Sequence, residues 1–354
     1  MRQLRLHKEA RSMNKKAQST NNEAQSMSEM SHAKPLAAAV GFGARCRVLV
    51  TGASGFVGSN LVPMLRRRGC ELLTPTRREY DLIEQGEVRR MFAELKPNVV
   101  FHLAGLIGGI GASRTRPAEF CYENLMMGTM MLHESWRAKA EKFITLIGGC
   151  SYPANAPSPI KETELFNGMP QAESASYSLA KAMSVILAES YRQQRGFNAI
   201  VLVPGNLYGP YDNFNLTSSH VIPALIRKFL EAKVANQPEV VAWGTGRPTR
   251  DFVYVADACE AIVEAAANYN GSDIINLSSG VTVSIKELTD TVAELVGYKG
   301  AVVWDTSKPD GQLYKGFDAT RMKQLLGYEC RTSLREGLKK TIEWYLSRPA
   351  GLRL

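Results

Sequence analysis

Tyr177-Ser178-Leu179-Ala180-Lys181 sets a phenol and an ammonium four residues apart, which on a helix is one face and adjacent turns. A cation beside a phenol stabilises tyrosinate, so this spacing predicts that the pKa of Tyr177 falls toward working pH. Such a group exchanges a proton with a carbonyl or alkoxide oxygen, and hydride transfer to a carbonyl carbon needs that proton on oxygen. Upstream, Thr51-Gly52-Ala53-Ser54-Gly55-Phe56-Val57-Gly58 is a GxxGxxG loop. Gly52 permits a tight turn, Gly55 lets the backbone approach a pyrophosphate, and Gly58 lets a helix pack closely on a strand. A diphosphate then sits at the positive end of the helix dipole. The two motifs together predict redox chemistry on a carbonyl with a nicotinamide dinucleotide.

The phosphate on that dinucleotide is read from the end of the second strand. NAD sites place an Asp or Glu there for the ribose 2′-hydroxyl, while NADP sites use Arg. Thr74-Pro75-Thr76-Arg77-Arg78 carries no carboxylate before Glu79, and the Arg77 fork suits a 2′-phosphate. The expected cofactor is NADP(H), with NAD(H) left open. No metal is expected: the six cysteines are scattered, without a CxxC pair, which excludes a zinc ribbon and a disulfide framework and suits a reducing compartment.

These groups need a scaffold, and its pattern begins at Cys46. Strand-like runs at Arg47–Thr51, Glu71–Pro75, Val99–Leu103, Phe143–Ile147 and Ala199–Val203 alternate with helical periodicity at Phe56–Arg68, Glu87–Leu95, Ala118–Ala138 and Ser178–Arg195. Alternation of this kind predicts an α/β, Rossmann-type doubly wound parallel sheet covered on both faces. After Asn206 the pattern loosens into a smaller C-terminal α/β lobe, with strands near Val240–Trp243 and Val302–Trp304 and helices at Ile285–Val296 and Leu334–Ser347. The expected division is a disordered extension over 1–45, a cofactor domain over 46–205 and a mainly substrate-binding lobe over 206–354, some segments of which return to the sheet.

Composition sets the outer limits. Hydrophobic residues at 45% and charged residues at 22% of 354 describe a folded globular chain. No run approaches the roughly 18 apolar residues of a membrane span. The net charge of +9 is uneven: residues 1–46 hold eight Lys/Arg against three Glu, which places +5 there and +4 over all the rest. With no basic helix or aromatic-interleaved basic stripe, a nucleic-acid partner is not expected, and a mildly basic body suits an anionic nucleotide substrate. The first 40 residues are polar and lack the apolar core of a secretory signal, so a cytoplasmic location is expected.

The glycine loop, YSLAK and Arg250-Asp251-Phe252-Val253-Tyr254-Val255 resemble the extended short-chain dehydrogenase/reductase family over about residues 46–348. Further segments are similar to the branch of that family that works on GDP-linked 4-keto-6-deoxyhexoses: Gly108-Gly109-Ile110, Cys150-Ser151-Tyr152-Pro153, Asn206 to Phe214, Ser219 to Leu225, and Ser307-Lys308-Pro309-Asp310-Gly311. The resemblance implies 3,5-epimerisation and NADPH-dependent 4-reduction of GDP-4-keto-6-deoxy-D-mannose to GDP-L-fucose. Protons flanking a ketone are acidic, so inversion needs a base on one face and an acid on the other. The resemblance assigns Cys150 as the base, His220 as the acid, and Tyr177 with Lys181 to protonate the C4 oxygen. It also implies substrate contacts at Gly109, Asn206, Lys228, Trp243, Arg250 and Asp310, with Arg250 on the diphosphate. Cofactor contacts would fall at Gly52, Ser54, Gly55, Phe56, Val57, Gly58, Arg77, Leu103, Ala104, Tyr177, Lys181, Pro204, Asn206, Leu207 and His220. A homodimer built on the helices at Ala118–Ala138 and Ser178–Arg195 is the implied assembly.

Two positions depart from the pattern. The family carries a serine beside the catalytic tyrosine where this chain has Gly148, and often an arginine in the glycine loop where it has Ser54. Losing one of two donors to a developing oxyanion costs about 2.7–4 kcal/mol. Another nucleotide-sugar epimerase or 4-ketoreductase remains an alternative, as does a non-catalytic dinucleotide-binding protein.

Overall fold

Along Arg47–Thr51 (β1) the valines and the leucine are buried whichever way they point, because helices cover both faces toward which a strand's side chains alternate. Val48 and Val50 join one core with Leu61 and Leu65 of Phe56–Arg67 (α1). Leu49 joins the other, with Met91 and Phe92 of Gln85–Leu95 (α2). The structure, a computed structural model, describes residues 41–348 apart from 44, 45, 109 and 309. Most of the expected extension, and Gly109, lie outside the described residues.

The first half continues the alternation through Glu71–Leu73 (β2), Val99–His102 (β3), Ile110–Thr115 (α3), Pro117–Arg137 (α4), Lys142–Leu146 (β4), Ala175–Arg195 (α5) and Ala199–Pro204 (β5). The strands are parallel and lie in the order β2, β1, β3, β4, β5. Winding therefore reverses between β1 and β3, and ligands of open α/β sheets bind outside the carboxyl ends of the strands at such a point. The doubly wound fold is the one the periodicity predicts. β2 is shorter than expected, ending at Leu73 before Thr74-Pro75 turns the chain away.

Beyond β5 come Asn206–Tyr208 (β6), Val221–Val234 (α6), Glu239–Trp243 (β7), Thr249–Tyr254 (β8), Val255–Asn268 (α7) and Ile275–Leu277 (β9). Thr282–Ser284 (β10), Ile285–Val296 (α8), Ala301–Asp305 (β11), Tyr314–Lys315 (β12), Thr320–Leu326 (α9) and Leu334–Ser347 (α10) complete the described chain. β9 pairs with β5 as the sixth strand of the main sheet. β8 is the centre of a smaller sheet, pairing with β6, β10 and β12. The helix α7, which the loosened pattern did not predict, is rich in alanine. Its small side chains let it lie against α1, the helix that opens at the glycine loop.

One buried charge fastens these layers. Lys142, at the start of β4 and without exposed surface, donates from Nζ to the carbonyls of Ala265, Ala266 and Tyr269 and to Asn270 Oδ1 at 2.6–3.2 Å. These carbonyls close α7, so the ammonium also meets the negative end of its dipole. Lys142→Met would remove a donor common to all four acceptors, of which Ala265 keeps the Tyr269 N–H and Asn270 Oδ1 keeps the Asn198 amide. The variant is expected to lose about 2–3 kcal/mol of stability, read as a fall in the urea midpoint with an unchanged slope.

Candidate active site

The site is built at the carboxyl ends of β1, β3 and β4. Gly52 leaves β1 with φ of 69°, where an added Cβ would come within 2.7 Å of the Ala104 nitrogen. Gly58 packs so tightly that a Cβ would lie 2.6 Å from the Ala53 Cα. Only glycine fits either position. Ala104 is held by its N–H to Thr51 Oγ1 at 3.3 Å, and that hydroxyl also hydrogen-bonds His102 Nδ1 at 2.9 Å. Burial drives the His102 pKa down to about 3, so this bond is made by a neutral imidazole. The ends of β1 and β3 are thereby pinned together around the loop.

Helix α1 begins at Gly55, which offers no side chain to the first N–H groups. These are left to a ligand, and a phosphate is what such a terminus binds. A cavity of about 230 Å³ opens beside the loop, lined by Gly52, Ser54, Thr76, Arg77, Asp81 and Ala104 among others. Glu79, the first carboxylate in the chain after β2, is consumed by its own turn: Thr76 donates to it from the backbone N–H at 2.7 Å and from Oγ1 at 2.8 Å. Arg77 remains largely exposed, with Asp81 at 3.7 Å and Glu123 at 3.8 Å. Loosely paired beside the cavity, it is placed for a 2′-phosphate. The loop, the free helix terminus and the arginine fit a phosphorylated dinucleotide. Phe56 and Val57 turn into the first core, while Leu103 and Ala104 lie half-buried at the mouth of β3. Pro204 ends β5, and Asn206 and Leu207 lie in β6, where Asn206 Nδ2 donates to the Asp251 carbonyl at 2.9 Å.

At the end of β4 the chain turns through Gly148 into a short 3₁₀ segment, Gly149–Ser151. Ser151 donates to the Ser178 carbonyl of α5 at 3.0 Å, Tyr152 donates to Asn276 Oδ1 of β9 at 2.6 Å, and the Phe317 ring lies against Gly149. So clamped, the segment sets Cys150 beside the first turns of α5. A Cβ added at Gly148 would lie 2.9 Å from Cys150 Sγ, 3.4 Å from Tyr177 Cε1 and 3.7 Å from Tyr177 Oη. Thiol and phenol therefore share one small space, and the charge on Cys150 bears on Tyr177, Lys181 and Lys315.

The electrostatics correct one expectation. The Tyr177 pKa does not fall: burial pushes it well above its usual value, and negative charge on Cys150 pushes it the same way. Desolvation of the phenolate is the larger of the two causes. Lys181 is itself brought down to about 8 by burial, with Cys150 opposing that shift. A phenol that keeps its proton is suited to donating it.

Among the described contacts none joins His220 to this cluster. It occupies the N-cap position of α6 without capping it, and its side chain is open to solvent while crowded by enough protein to lower its pKa. Arg250 and Lys315 are paired across β8 and β12, and Arg250 donates to the Gln312 carbonyl at 2.6 Å. Trp243, whose apolar character would suit a core, is 64% exposed. Lys228 stands 5.3 Å from its ring centroid and Lys308 5.8 Å. Asp310 accepts from the Thr245 N–H at 2.6 Å and from Thr245 Oγ1 at 2.7 Å, shaping the turn that follows Trp243. An exposed indole with two ammonium groups within 6 Å of its ring is a platform for a flat, electron-rich ring.

A model of the NAD dependent epimerase/dehydratase family matches residues 48–278, more than half of the chain. The chain belongs to that family. Among its relatives, putative GDP-L-fucose synthase 2 of Arabidopsis thaliana is 42% identical over 301 residues, covering 85% of this chain and 92% of that one. GDP-L-fucose synthase of Escherichia coli K12 is 40% identical over 310 residues, covering 85% and 96%. A solved GDP-mannoheptose C4 reductase from Campylobacter jejuni with NADP bound superposes with a TM-score of 0.80 at 32% identity, covering 87% of this chain and all of that one.

Within this epimerase/dehydratase scaffold, Lys315 is the residue that sequence reasoning missed. It has no local motif, and only the pairing of β12 with β8 brings it between Arg250 and Cys150. The cofactor end of the site yields a direct test. Arg77→Ala is expected to weaken NADPH binding about 10- to 100-fold, the worth of a charge-assisted phosphate contact. NADH binding should change by less than about 2-fold, since it has no phosphate there. Titration calorimetry with both dinucleotides decides it.

Proposed function

We propose that the protein converts GDP-4-keto-6-deoxy-D-mannose to GDP-L-fucose by 3,5-epimerisation and NADPH-dependent 4-reduction. The observation that carries this reading is the shared space of the Cys150 thiol and the Tyr177 phenol, with Lys181 behind them. A plain ketoreductase needs the phenol and the ammonium; a thiol in the same space adds a group able to take a proton from carbon. The names borne by the Arabidopsis and Escherichia coli relatives point to the same reaction.

In this scheme Cys150 removes the proton at C3 and then the one at C5, and each time His220 returns one from the opposite face, the thiol losing its proton to solvent and the imidazole regaining one between the two inversions. Tyr177 holds the enolate oxygen during inversion and later protonates the C4 alkoxide, with Lys181 beside it. The bound nicotinamide supplies the hydride to C4. Trp243, with Lys228 and Lys308 on its ring, stacks the guanine, and Arg250 faces the diphosphate, with Asp310 holding the turn between them. The smaller lobe over 206–354 is thus the substrate side, and the sheet over 46–205 the cofactor side.

The expected assembly is a homodimer. Tyr122 of α4 and Leu179, Met183 and Ile186 of α5 are exposed, and the last three recur at helical spacing as one apolar stripe on the helix that carries Tyr177. We place the protein in the cytoplasm, with the nucleotide sugar and a second copy as its partners and no role for nucleic acid. No helix among the described residues is long and apolar enough to cross a membrane.

Incubation with GDP-4-keto-6-deoxy-D-mannose and NADPH in deuterated buffer tests the whole scheme. The expected product is GDP-L-fucose with deuterium at C3 and C5 and one NADPH consumed per molecule. Deuterium uptake without NADPH oxidation would leave only the epimerase, and NADPH oxidation without deuterium only a reductase.

The Lys181 shift adds a pH signature. With a pKa of about 8, the ammonium is charged below that pH and lost above it. Reductive kcat/KM is expected to fall tenfold per unit above pH 8. Lys181→Arg, which stays charged, should be slower at neutral pH but should lose this alkaline limb.

A further inference from the structure

We infer that the Cys150 thiol plays a second part in the reaction. During reduction it donates a hydrogen bond to the C4 oxygen, beside Tyr177, from the space that Gly148 leaves without a side chain. The inference rests on the reaction proposed above and concerns its reductive half. As hydride reaches C4, the carbonyl π-bond breaks, a C–H bond forms and charge gathers on oxygen. Tyr177 then gives up its proton to that oxygen. One donor beside a growing oxyanion is fewer than such sites use, and a second is worth about 10²–10³-fold in rate.

The hydroxyls around Tyr177 are already committed. Ser151 donates to the Ser178 carbonyl, Ser178 to Ser174 Oγ, and Thr145 to the His102 carbonyl. Gly148 has no hydroxyl to give. What fills its place is the Cys150 sulfur: a point one bond from the Gly148 Cα lies 2.9 Å from Sγ and 3.7 Å from Tyr177 Oη. The thiol makes no hydrogen bond to protein among the described residues, so its proton is free for a ligand. A sulfur and a phenol oxygen that both lie within 4 Å of one point are close enough for an oxygen bound beside them to meet both. With the sulfur where it stands, a side chain at 148 would require it to shift, since a Cβ there would lie 2.9 Å from Sγ.

The roles separate in the reverse direction, where GDP-L-fucose is oxidised by NADP⁺ at C4 without breaking a bond at C3 or C5. Single-turnover NADPH formation then reports hydride transfer alone, and deuterium exchange at C3 and C5 of the 4-keto sugar reports epimerisation alone. Cys150→Ala is expected to abolish exchange and also to slow hydride transfer about 10- to 100-fold, the lower range because a thiol is a weak donor. Cys150→Ser, which keeps a donor in place, should lose exchange but retain most of the hydride-transfer rate. In the Cys150→Ala background the clash at 148 is relieved, and Gly148→Ser should restore hydride transfer while exchange stays absent. NADPH affinity and circular dichroism establish that each variant is folded. Hydride transfer at the wild-type rate in Cys150→Ala would overturn the inference, as would a Cys150→Ser as slow as Cys150→Ala. A wild-type protein that leaves GDP-L-fucose unoxidised would overturn the substrate assignment itself, and the inference with it.

Discussion

The end of β4 lies against α5 and Phe317 with no side chain in the way, and the rest of the site depends on that closeness. A Cβ at Gly148 would press on Cys150 Sγ and the Tyr177 ring, and one at Gly149 would enter the Phe317 ring. Two consecutive glycines therefore let one turn of backbone sit between a helix and a strap from the far end of the chain. The surrounding bonds are directional: Ser151 to α5, Tyr152 to β9, and the Ile160 N–H to the Gly316 carbonyl. Bonds on both sides of Cys150 and the close contacts at Gly148 and Gly149 leave this turn little freedom to move.

That closeness has an electrostatic cost, and the protein offsets it with cations. Negative charge on Cys150 adds to burial in raising the Tyr177 pKa. Lys181 and Lys315 both feel the charge of Cys150, and Arg250 lies across the strand pair from Lys315. Among the described residues none of these three cations has an ion-pair partner within 4 Å. Burial lowers the pKa of each. Unpaired cations in a crowded cleft are unfavourable in the free protein and favourable once an anion arrives. A nucleoside diphosphate carries the charge that would relieve them.

The sequence made the cofactor half legible because its requirements are local. A GxxGxxG loop, a strand before it and a helix after it occupy one short stretch of chain, and the positive φ of Gly52 is a property of that stretch alone. The YxxxK pair is legible for the same reason. What spacing could not reveal was burial. It placed Lys181 correctly on the face of Tyr177 but gave no measure of desolvation, and so the expected downward shift of the phenol became an upward one. Lys315 stayed hidden because its neighbours, Arg250 and Cys150, are remote in the chain and meet it only through strand pairing. The helix α7 escaped because an alanine-rich segment buried on several sides shows little periodicity.

The smaller sheet shows how the two halves are kept in one frame. β8 carries Arg250, which donates to the Thr249 and Gln312 carbonyls, while the next residue, Asp251, turns back into the body of the protein. There its carboxylate accepts from Ser278 Oγ at 2.6 Å and from the Ser279 N–H at 3.2 Å, just past β9 of the main sheet. The Asp251 carbonyl takes the Asn206 amide as well. Burial raises the Asp251 pKa and these donors pull against that shift, so the carboxylate holds its place as an acceptor rather than as an acid. Adjacent residues on a strand face opposite ways. One dipeptide can therefore present a cation beside Lys315 and bolt its own strand to the cofactor sheet. A shift of β8 by one residue would exchange the two places, leaving a carboxylate beside Gln312 and a guanidinium among the serines. The pairing of β8 with β6, β10 and β12 is what prevents it.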